Sequence, residues 1–95
     1  MREILLDGRT WSSPNDVYDA FFQAVGAPSW HGRNFNALRD SIVTGRINQV
    51  DLPYIVKIKS YDQIGAGAKK MAADLVGLIT ELRESGCPID IQVAS

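Results

Sequence analysis

The chain has 95 residues, 45% of them hydrophobic and 22% charged, with a formal net charge of -1 and a pI of about 5.7. That length supplies one core, so a single domain over residues 1–95 is expected and a second is excluded. A slightly acidic chain is a poor general coat for nucleic acid or anionic membrane, the lone Cys87 cannot form an internal disulfide, and no long apolar run suggests a signal peptide or membrane span. A soluble cytoplasmic monomer that does not associate with membranes is therefore expected.

Ile4 to Leu6 is a short apolar run between a charged start and the turn pair Asp7-Gly8, and reads as a buried strand. Ser13-Pro14-Asn15-Asp16 has the form of a helix start: Ser13 as cap, Pro14 pre-set at the first helical position, and Asp16 near the positive end of the helix dipole. Val17, Phe21 and Val25 lie four apart on one face, with Tyr18 and Phe22 beside them. Gly26 ends that helix and Pro28 prevents its return.

A second helix should begin near Asn34, a plausible cap, with Phe35, Leu38 and Ile42 facing the core and Asn36, Arg39 and Asp40 on another side. Residues 54–58, YIVKI, follow Pro53 as a second strand. The last helix is read from Ile64, Ala68, Met71, Leu75, Leu78 and Leu82, which step by four and three until Gly86. Ile89, Ile91 and Val93 alternate in a closing strand, with Pro88 at its start, where a missing amide donor does least harm. Strands joined through helices are most simply parallel, which predicts an α/β fold in β-α-α-β-α-β order: a three-stranded parallel sheet with helices packed against it.

The densest information lies in Pro28 to Gly45, PSWHGRNFNALRDSIVTG, where a loop carrying aromatic and charged residues runs into an amphipathic helix. Each residue there also has a plain reading. Trp30 can cap the core or meet a partner, and Trp often does both. His31, the one histidine, has no second His or Cys pair to complete a metal site, so no metal or cofactor is expected. Gly32 suits a close backbone approach before the helix. Arg33, Arg39 and Arg46 fit a solvated face, Glu81 fits the wet side of the last helix, and Cys87 fits a small apolar position beside the sheet. Asp40 stands out as an acid in a basic neighbourhood, because residues 28–46 carry three arginines against that single carboxylate.

The order of elements, the stretch P-x-W-H-G-R-N-x-x-A-L-x-D-S from Pro28 to Ser41, Pro53 before the middle strand and Gly86-Cys87 before the last one together resemble the barstar family. These are small bacterial inhibitors that neutralise secreted ribonucleases inside the cell. The resemblance covers nearly the whole chain. It implies a non-enzymatic protein whose loop and helix, 28–45, plug the active site of a cognate ribonuclease or related nuclease toxin. It also implies roles: Asp40 as the central acidic contact, Glu81 as a second, and Trp30 as an aromatic contact. His31, Arg33, Asn36 and Arg39 complete the partner-binding set.

Arg33 and Asn36 stand where the best-known inhibitor of the family carries acids, and Arg39 replaces an aromatic. A broadly basic enzyme would be poorly steered to such a face, so the expected partner is a different toxin whose site mixes charges. Two readings from other classes compete. One is a small nucleic-acid-binding module in which Arg33, Arg39 and Arg46 meet phosphates while Trp30 stacks on a base; a chain of net charge -1 argues against direct nucleic-acid binding. The other is a small hydrolase using His31 and Glu81, with Arg33 and Asp40 beside them, but their spacing matches no catalytic motif.

Overall fold

The computed structural model describes residues 2–26, 34–44 and 52–95. Strands β1 (Arg2–Asp7), β2 (Tyr54–Lys59) and β3 (Ile89–Val93) form one parallel sheet in the order β1-β2-β3. Between them run helices α1 (Pro14–Val25), α2 (Phe35–Thr44) and α3 (Ala66–Glu84), so the order is β-α-α-β-α-β as the alternating patterns predict. Short 3-10 turns at Gly8–Thr10 and Tyr61–Gln63 follow the first two strands.

Strand order decides where the core sits. Consecutive strands joined by crossovers of one hand send every helix to the same face of the sheet. Ile4, Leu6, Tyr54, Val56, Ile58 and Ile89 are buried against those helices, and Ile4, Val56 and Ile91 lie in register across the three strands. The opposite face is open. Leu5, expected inside a buried strand, is instead 68% exposed there. Its neighbours in register are Lys57 and Gln92, and Lys57 Nζ reaches Glu3 Oε2 at 2.7 Å along the same face. Val93 keeps the helix-side phase but ends its strand and is half-exposed.

The start of α1 follows its sequence signature. Pro14 is its first residue, and Asp16 Oδ2 accepts the Ser12 amide at 2.8 Å and the Ser13 amide at 3.1 Å, satisfying donors at the helix entrance. These amides, Ser12 first, hold the Asp16 carboxyl below the ordinary range. A carboxyl whose pKa is lowered on folding adds stability above its unfolded pKa and loses it as pH falls through the lower folded value. The urea midpoint of the wild-type chain should therefore drop below about pH 4. Asp16→Ala should lower the midpoint at neutral pH and make the acid limb shallower; identical acid limbs would deny the carboxylate this role. At the far end of α1, Gly26 closes the helix in the left-handed region at φ 71°.

The last helix begins later than its apolar spacing predicts. Ile64 is buried, but it ends the preceding 3-10 turn, and the helical residues start at Ala66. Gly65 donates its amide to the Trp11 carbonyl at 2.9 Å, which brings the entrance of α3 against residues 11–13. A Cβ on Gly67 would collide with the Ser12 carbonyl oxygen, whereas one on Gly77, also in α3, meets nothing within 4 Å. Gly77→Ala should thus raise stability by about 0.8–1 kcal/mol through helix propensity alone. Gly67→Ala should lower the melting temperature despite the same propensity gain. Thermal melts of the two variants moving in the same direction would contradict the close packing at Ser12.

Candidate functional site

Helix α2 is fixed from below and free above. Asn34 caps it: its Oδ1 accepts the Ala37 amide at 2.8 Å, and its backbone carbonyl accepts the Leu38 amide at 3.0 Å. Leu38 and Ile42, at 1% and 0% exposure, anchor the helix in the core, where it packs against α1. Asn36, Arg39 and Asp40 are exposed, as their helical phase predicts.

Phe35 departs from expectation. Its spacing with Leu38 and Ile42 predicts a core position, yet it is 42% exposed. As the first helical residue it carries a Cα–Cβ bond tilted toward the N-terminus and has no preceding helical turn to cover, so the phase it shares with Leu38 does not bury it. Val43, 53% exposed, is a second apolar member of the face. Its signal was present in the sequence: it is out of phase with Leu38 and Ile42 and in phase with Asn36 and Arg39. At about 100° per residue, Phe35, Arg39, Val43, Asn36 and Asp40 follow one another across a single exposed arc. That arc runs from apolar to cationic, apolar, amide and anionic.

Glu81 is exposed on α3, between the buried Leu78 and Leu82. It is on a different helix from Asp40, and both helices pack against α1. Trp30, His31, Gly32, Arg33 and Arg46 lie outside the described residues.

The backbone amide of Arg9, followed by the charges of Arg9 and Lys59, holds Asp7 below the ordinary carboxylate range; the Ile91 amide, followed by Arg83, does so for Asp90. Arg83 reaches Asp90 at 2.8 Å, which ties the end of α3 to β3. Cys87 is half-buried against the core, and burial pushes its thiol up, so it stays protonated and poorly nucleophilic. Among the described residues no group of three or more His, Cys, Asp or Glu side chains is arranged to hold a metal ion, and no helix is long and apolar enough to cross a membrane.

What the α2 arc can do chemically is bind. It offers a carboxylate, a guanidinium, an amide and two apolar side chains on a helix whose backbone is already ordered by the core. Comparison with known proteins bears on the family of the whole chain. The family model described as Barstar (barnase inhibitor) matches residues 1–93. A protein of Bacillus subtilis (strain 168) named "Putative ribonuclease inhibitor YrdF" is 31% identical over 84 residues, covering 88% of this chain and 88% of that protein.

Proposed function

The chain belongs to the barstar family, and from that premise we propose that it is an inhibitor that blocks the active site of a cognate ribonuclease or related nuclease toxin. It acts as one unit, as a monomer in the bacterial cytoplasm, and protects its own cell by occupying the enzyme without performing chemistry. The observation that carries this reading is α2 itself: two fully buried side chains hold the helix while Asp40 stands exposed on its outer side.

The mechanism is steric and electrostatic. Asp40 enters the cationic part of the nuclease site, where a phosphate of RNA would sit, and accepts charge-assisted hydrogen bonds there. Glu81 supplies a second acidic contact from α3, and Trp30 and His31 contact the enzyme from the segment that precedes α2. Arg33 and Arg39, with the neutral amide of Asn36, set partner choice, because two cations where acids would suit a broadly basic enzyme repel it and favour one with acids around its site. Preordering of α2 limits the entropy lost on docking.

A nucleic-acid role would need a continuous basic stripe. On α2 the cation Arg39 is followed at once by Asp40, which interrupts such a stripe and favours the protein partner. Co-expression tests the proposal. Cells making a secreted ribonuclease of the same organism, tested as the cognate toxin, should grow when the wild-type chain is present, and a stable equimolar complex should be recovered from them. Continued killing with the chain abundant and folded would overturn the inhibitor reading.

A further inference from the structure

Four large apolar side chains stand out as exposed among the described residues, Leu5, Phe35, Val43 and Val93, and two of them belong to the ten-residue helix α2. Phe35 sits at one margin of the exposed arc and Val43 near its middle, with Arg39 between them. Neither position is needed to hold the helix, since Leu38 and Ile42 already do that. An aromatic ring and a branched aliphatic left in water on the same short face signal contact with another surface.

The charge on this face says what kind of surface. Within α2 the charged residues are Arg39 and Asp40, which cancel. Such a face has no anionic field to draw in a basic enzyme from a distance. Its attraction must come at contact, from apolar burial around a single carboxylate.

We infer that Phe35 and Val43 are apolar anchors of the binding face, and that the matching surface of the partner nuclease is an apolar shelf bordered by acidic groups, with one cationic recess for Asp40. This rests on the inhibitor reading and extends it to the partner's chemistry. Phe35 and Val43 pack on the shelf, Arg39 between them meets the acidic border, and Asp40 at the far margin of the arc reaches the recess. A complex of this kind associates without strong steering and is held by slow dissociation.

The experiment measures the affinity of the secreted ribonuclease used in the co-expression test for the wild-type chain, Phe35→Ser and Val43→Ser, from about 50 to 500 mM salt, alongside thermal melts and the solution mass of the free chain. The wild-type affinity should change by less than about fivefold across that range. Each variant should bind about tenfold or more weakly, mainly through faster dissociation, while melting as the wild type does. Variants that bind within about twofold of wild type, or a wild-type affinity that collapses with salt, would overturn the inference while leaving the inhibitor reading intact. A free chain of doubled mass that Val43→Ser returns to monomer would assign the apolar face to a second copy, and would also overturn it. Failure of the wild-type chain to bind the nuclease at all would reject the inhibitor reading and this inference with it.

Discussion

Asp40→Ala should abolish protection against the nuclease while leaving the fold untouched. Asp40 is exposed on α2 and, among the described residues, forms no ion pair within the chain, so its removal subtracts nothing from the core. In the proposed complex the same carboxylate would be buried against cationic groups that water can no longer reach. Truncating it strands those charges, and breaking a buried pair by removing one partner costs about 3–5 kcal/mol, a loss of roughly two to three and a half orders of magnitude in affinity. Titration calorimetry of the purified variant against the nuclease, with a thermal melt as control, separates the two effects. Unchanged melting with lost binding is the expected pair of results; unchanged affinity would remove Asp40 from the centre of the interface.

Phe21→Ala should have the largest effect on stability. Phe21 is fully buried in α1, with its ring packed edge-on to that of Phe22 at 6.2 Å between centroids. Helix α1 packs against β1, α2 and α3, so a cavity at Phe21 opens where the supporting elements meet. Truncating a buried phenylalanine costs about 3–5 kcal/mol, a large share of the 5–15 kcal/mol that holds a domain of this size together. The melting temperature should fall by about 15–30 °C. Binding should weaken as well, because α2 loses part of the platform that holds Asp40 in place. A fall of only a few degrees in a circular dichroism melt would mean that the core tolerates the cavity and that α1 is not the hub of the fold.

These two residues show how unevenly the molecule can be read from its sequence. Phe21 was legible as core from its fourfold spacing with Val17 and Val25, and the Ser13-Pro14-Asn15-Asp16 signature marked the start of α1 correctly. Asn36, Arg39 and Asp40 were legible as an exposed face for the same reason, since helical phase alone separates them from Leu38 and Ile42. Periodicity fails where an element stops. Ile64 keeps the rhythm of α3 without being part of it, and Phe35 keeps the phase of Leu38 but, as the first residue of α2, stays 42% exposed. Leu5 was misread for a different reason: whether a strand is covered on both faces depends on strand order, and β-α-α-β-α-β is compatible with more than one. The roles of Asp40 and Glu81 came from family resemblance, since periodicity marks a residue as exposed without saying what it meets.

The most direct measurement is a titration of the purified chain into its cognate nuclease, with cleavage of a fluorescent RNA oligonucleotide followed at several substrate concentrations. Physical occlusion of the site by α2 predicts a linear fall to zero activity at equimolar chain, and an apparent inhibition constant that rises in proportion to substrate. Residual activity at saturation, or inhibition indifferent to substrate concentration, would show that the chain binds somewhere other than the catalytic cleft and would contradict the account.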